Sequence, residues 1–167
     1  MNPRRILALA SLLFFSACGG GSDPKALNDE GAKALNSGDY SAAAKSFDAA
    51  VAALASDTSN PEWLKAKLGA IQARTQTDAA RAKDEFLQLA QANPSKITDQ
   101  HFSMVGSRLG AAGHLMEAIA VLEQGKKMHA ESPHLQSLMD ELGKKAEAGD
   151  DPAALDALRG LGYASGK

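Results

Sequence analysis

Four glycines, Gly31, Gly69, Gly106 and Gly143, recur at intervals of 38, 37 and 37 residues. Each sits among apolar residues at helical spacing, where glycine costs a helix about 0.8–1 kcal/mol against alanine. Recurrence at such a cost predicts that a neighbouring helix approaches closely at each one. The residues behind the glycines repeat as well. Gly31 is followed by Gly38, Tyr40, Ala43, Phe47 and Ala50, and Gly106 is followed at the same offsets by Gly113, Leu115, Ala118, Leu122 and Gly125.

Prolines mark where the helices begin. Asp23-Pro24, Asn60-Pro61, Ser132-Pro133 and Asp151-Pro152 each set a side-chain acceptor before a proline. The acceptor caps free backbone N–H groups, and proline fits the first helical position, where a missing N–H is harmless. Asn93-Pro94 reads instead as a turn, with the next helix opening near Thr98. Apolar stripes such as Tyr40, Ala43, Phe47, Ala50, Val51 and Leu54 have the helical period, and no stretch alternates with period two. Aromatics make up only 5% of the chain, too few for the aromatic-rich strands of a sandwich. The expected fold is all-α, with helices near 24–36, 40–56, 61–74, 77–92, 98–112, 115–130, 133–148 and 152–160.

The period and its flanking residues resemble the tetratricopeptide repeat, a helix–turn–helix unit whose small residues let paired helices pack tightly. The resemblance covers residues 24–132. Its packing positions are Gly31, Tyr40, Ala43 and Phe47 in the first unit, Gly69, Ala82 and Phe86 in the second, and Gly106, Ala118 and Leu122 in the third. In the second unit Arg74-Thr75-Gln76-Thr77 replaces the glycine turn and adds one residue. The period exceeds the family's, so longer loops are expected at Ser56 to Asn60 and Pro94 to Ile97. The resemblance implies a right-handed solenoid of about three units, followed over 133–167 by a capping helix and a C-terminal helix folded back on it.

In that family the first helices of successive units line a concave groove that receives a partner segment. Carried over, the groove positions are Asn28, Ala32, Leu35 and Asn36, then Trp63, Ala66, Ala70, Ala73 and Arg74, then Gln100, Ser103, Ser107 and Gly110. This lining is small and nearly neutral, without the lysine, arginine and asparagine cluster that clamps a peptide carboxylate in some members. Trp63 and Arg74 stand out as anchors. Trp63 has an equal claim as an interrepeat packing residue, and Arg74 as a solvated helix-end cation. Filling of the groove by the chain's own C-terminal helix is a further arrangement. On this register a bulky charge at Ala66 or Ser103 would abolish partner capture without unfolding the protein.

The N-terminus addresses location. Arg4 and Arg5 precede an apolar run from Ile6 to Phe15, too short to span a bilayer but suited to a secretory signal. Phe15-Ser16-Ala17-Cys18 resembles the lipobox of bacterial lipoproteins, with Phe15 where leucine is usual. The resemblance implies a signal peptide over 1–17, lipid attachment at Cys18 and a glycine-rich tether over 18–23. Acyl chains contribute about 0.8 kcal/mol per buried CH₂, enough in combination for firm anchoring. Gly19 is not the aspartate that retains such proteins at an inner membrane, so the outer membrane facing the periplasm is expected. In a single-membrane cell the outer face of the plasma membrane takes its place.

Without Arg4 and Arg5 the chain keeps 16 basic and 20 acidic residues, a net charge of −4. That balance disfavours nucleic acid, and it disfavours docking on anionic lipid by charge, leaving the lipid anchor as the expected membrane contact. The chain's one cysteine would be consumed by lipid, leaving no disulfide. His129 and His134 flank Glu131, but Pro133 starts a helix between them, so no metal site and no cofactor are expected. Asp150-Asp151 reads as a helix cap, and no serine sits in a nucleophile elbow. The expected role is therefore not an enzyme but a lipid-anchored adaptor or scaffold for another envelope protein. The alternative is a structural or self-associating envelope lipoprotein without a dedicated client.

Overall fold

Local capping chemistry sets out the helices. The computed structural model describes residues 23–163, and the expected signal peptide, Cys18 and tether residues 18–22 lie outside them. Eight helices occur among the described residues, with no strand: α1 (Pro24–Asn36), α2 (Tyr40–Ala53), α3 (Pro61–Arg74), α4 (Ala79–Ala92), α5 (Asp99–Ala111), α6 (Leu115–Met128), α7 (Pro133–Ala148) and α8 (Pro152–Gly160). Asp23, Asn60, Ser132 and Asp151 each accept an N–H from the first turn that their proline opens. Asp39 and Asp78 cap α2 and α4 in the same way. Asp78 thus delays α4 by two residues relative to the expected start. Helices α2 and α6 stop two or three residues early, where the chain turns through Leu54 and His129.

The helices form four hairpins with short turns. Gly38 and Gly113 take φ of 80° and 88° in the turns of the first and third, a conformation that glycine adopts without a Cβ clash. The α3–α4 turn has one more residue and no positive φ; Thr75 Oγ1 donates to Gln72 O at 2.7 Å, and Asp78 N to Arg74 O at 2.8 Å. The α7–α8 turn carries Asp150 at φ 50°, seven residues after Gly143, as Gly38 follows Gly31 and Gly113 follows Gly106. The region read as a cap and a fold-back helix is thus a fourth hairpin with the same turn spacing.

Helices α1, α3, α5 and α7 lie side by side, each against the next. Helix α2 packs on α1 and α3, and α6 on α5 and α7. The expected packing positions Ala43, Phe47, Ala82, Phe86, Ala118 and Leu122 are buried, and Tyr40 is half-buried. A Cβ built on Gly31 would stand 2.9 Å from the Phe47 ring, and one on Gly69 2.5 Å from it, so Phe47 is seated between two glycines. Leu122 crosses Gly106 at 2.6 Å in the same sense. Phe86 meets Phe102 edge-on with centroids 4.9 Å apart. One core runs under α3 to α8, and a smaller one of Ala43, Phe47, Ala70 and Ala73 joins α2 to α3.

Candidate partner-binding groove

The neighbouring helices α1, α3 and α5 leave an open apolar groove of about 520 Å³ between their faces. Its walls are Leu35 from α1, Leu64 and Leu68 from α3, and Met104 from α5, with Ala32, Pro61, Phe47 and Gly69 completing the lining. Leu64, Leu68 and Gln72 recur every four residues, so they share one face of α3. Gly69 has no side chain to fill the space, which lets the Phe47 ring reach the groove from α2.

Polar groups stand at the rim. Lys65 is half-exposed and lies 3.7 Å from Asp29 and 3.5 Å from Glu62. Gln72 Nε2 approaches Met104 Sδ at 2.9 Å. His101 Nδ1 accepts the Thr98 amide at 3.0 Å at the start of α5, and burial holds its imidazole below the ordinary histidine range. At the next helix, Ser132 Oγ donates to Asp99 at 2.8 Å and caps α7; that hydrogen bond holds the Asp99 carboxyl below the usual carboxylate range.

On the far side of α5 the row continues. Between α5 and α7 lies a second depression of about 480 Å³ lined by Gln100, Ser103, His134, Ser137, Leu138 and Glu141. A narrower cleft of about 180 Å³ adjoins Ser107, Gly110, Leu138 and Glu141.

The carried-over groove residues divide between these surfaces and the core. Leu35 lines the apolar groove, and Ser103 and Ser107 line the α5–α7 depressions. Asn36 is exposed at the end of α1, away from the lining. Ala32 also lines the groove, Gln100 and Gly110 line the α5–α7 depressions, and the other positions fall elsewhere. Asn28 is fully buried, its amide donating to Glu62 O at 3.0 Å and to Glu62 Oε2 at 2.7 Å. Ala66 and Ala70 are buried, Ala70 in the small core shared with α2, so a charge at Ala66 would break the packing instead of testing the groove. Trp63 faces α4, where it lines a 210 Å³ depression with Ile71, Glu85 and Leu89, and Lys67 Nζ lies 5.8 Å from its ring centroid.

Arg74 is neither an anchor nor a solvated cation. Its side chain is 7% exposed and pairs with Asp48 of α2 and, at 2.8 Å, with Glu85 of α4. Two carboxylates offset the desolvation of the guanidinium, whose planar fork suits such pairing. The cause common to the α3 misplacements is rotation. Ala66 and Ala70 stand two residues beyond Leu64 and Leu68, about 200° around the helix, and α2 packs on that face at Ala70 and Ala73.

No group of three or more histidine, cysteine, aspartate or glutamate side chains is gathered as a metal site among the described residues. No helix among them is long and apolar enough to cross a membrane. Comparison with protein families, with curated proteins and with solved structures finds no match for this chain.

Proposed function

We propose that this protein is a lipid-anchored envelope adaptor, built as a tetratricopeptide-like helical repeat, that holds another protein in the groove between α1, α3 and α5. The observation that carries the reading is that groove: an open apolar surface of about 520 Å³ formed by the first helices of three successive hairpins. Apolar surface left open between neighbouring helices, with a polar rim, is what a helical or extended partner segment requires. The recurring glycines, each beside a bulky side chain of the paired helix in the first and third hairpins, support the repeat reading. The lipobox-like Phe15-Ser16-Ala17-Cys18 supports anchoring, with the outer membrane facing the periplasm as the proposed location.

Crosslinked capture in the native host tests the reading, using the tagged parent, Leu64→Glu in the groove and Ala80→Glu at an exposed position of α4, each checked for helicity. A defined protein held by the parent and by Ala80→Glu but missing from Leu64→Glu is the expected result. The same set from all three would move binding off the groove. Cys18→Ser is expected to leave the membrane fraction in the same cells, and its retention there would remove the lipid anchor from the account.

A further inference from the structure

We infer that the partner segment carries two anchors across α5: a bulky aliphatic side chain for the α1–α3–α5 groove, and a lysine or arginine for the α5–α7 depression about three residues away. The inference rests on the reading of the apolar groove as a protein-binding surface.

The two depressions differ in chemistry. The first is walled by Leu35, Leu64, Leu68 and Met104. The second is lined by Glu141, Gln100, Ser103 and Ser137. Glu141 is exposed and makes no ion pair among the described residues. The nearest fixed cation of the adjoining cleft, Lys145, is engaged with the Gly110 carbonyl. Ser103 Oγ is buried without a hydrogen-bond partner among the described residues. A carboxylate without an ion pair, beside the polar side chains of Gln100 and Ser137 and with His134 as the other titratable group of the lining, complements a cationic donor.

Helix α5 supplies the spacing. Met104 faces the apolar groove and Ser103, its neighbour in sequence, faces the polar depression, so α5 is the wall between them. Adjacent packed helices lie about 8–10 Å apart, so the α3–α5 side of the apolar groove and the α5–α7 depression lie about that far from each other. An extended segment rising about 3.1 Å per residue covers that span in about three residues. A segment with an acidic residue at the second position would meet Glu141 as a like charge.

Selection of displayed random peptides on the purified full chain tests this, followed by fluorescence anisotropy of the enriched sequences. The expected peptides share an aliphatic residue with a lysine or arginine about three positions away. Their affinity is expected to fall about tenfold on Leu64→Ala and about five- to tenfold on Glu141→Lys. Exchanging the basic residue of the peptide for glutamate is expected to restore binding to Glu141→Lys. If Leu64→Ala weakens binding but Glu141→Lys does not, the two-anchor inference is overturned while the groove reading stands. If no peptide is enriched, or neither variant changes affinity, both are overturned.

Discussion

Phe47 lies between Gly31 and Gly69, and its ring occupies the space that a Cβ on either residue would need. One aromatic residue thereby fastens α1, α2 and α3 together and also floors the apolar groove. Gly69→Ala sets a gain of up to about 1 kcal/mol in helix propensity against overpacking, which typically costs about 1–3 kcal/mol. Because the ring is 3% exposed and held from both sides, overpacking should win. Chemical denaturation is expected to show a net loss of about 1–2 kcal/mol. Phe47→Leu in the same chain should recover part of it, because the two changes share one contact. Equal or greater stability of Gly69→Ala would mean that the ring moves freely. The glycine period is visible in the sequence because its steric reason is local to each hairpin. Arg74 is different: its counter-charges Asp48 and Glu85 lie 26 and 11 residues away, and nothing local announces the pair.

At the scale of the element, turn and cap chemistry make two predictions. Asp150 takes φ 50° where the first and third hairpins place glycine, and a residue with a Cβ is strained there by about 1–2 kcal/mol. Asp150→Gly is expected to stabilise the protein by about 0.5–1 kcal/mol, after the greater unfolded-state freedom of glycine is subtracted. Gly38→Ala should do the reverse through φ alone, since no atom lies within 4 Å of its Cβ site. Thermal denaturation of both variants checks the sign of each. The start of α5 adds a pH effect. His101 accepts the Thr98 amide only while Nδ1 is unprotonated, and burial lowers its folded pKa. A lowered histidine pKa means that the unfolded chain takes up the proton first. Stability is therefore expected to fall as pH drops below about 6.5, and to level off below the folded value. His101→Gln keeps an acceptor at that position and should flatten the profile between pH 7 and 5; an unchanged slope would assign the effect to other groups.

Across elements, what could be read from the sequence follows how local the cause is. Helix starts are legible because a capping side chain and its proline are neighbours, as at Asn60-Pro61 and Asp151-Pro152. The outward face of α3 is not, because α2 sets its rotation by covering Ala70 and Ala73. Leu64 and Leu68, at four-residue spacing on the side of α3 opposite that alanine face, are the signal in the sequence for the groove, and the carried-over register does not include them. The seven-residue offset from Gly143 to Asp150 was likewise present in the sequence as the sign of a fourth hairpin.

For the molecule as a whole, the described residues place apolar surface in two cores and then leave more of it open between α1, α3 and α5. The cores account for the glycines, the paired aromatic rings and the buried alanines. Leu35, Leu64 and Met104 pack against those cores on one side and face the open groove on the other, and the proposed adaptor role gives that open side a use. Met116 provides an internal contrast: it is 46% exposed at the start of α6 and does not line the groove. The most direct test of the central claim is photocrosslinking in living cells, with p-benzoylphenylalanine placed at Met104 in one strain and at Met116 in another. The account predicts a discrete adduct with a second protein from Met104 and none from Met116. Adducts from Met116 alone, or only dimers of this chain from both positions, would contradict it.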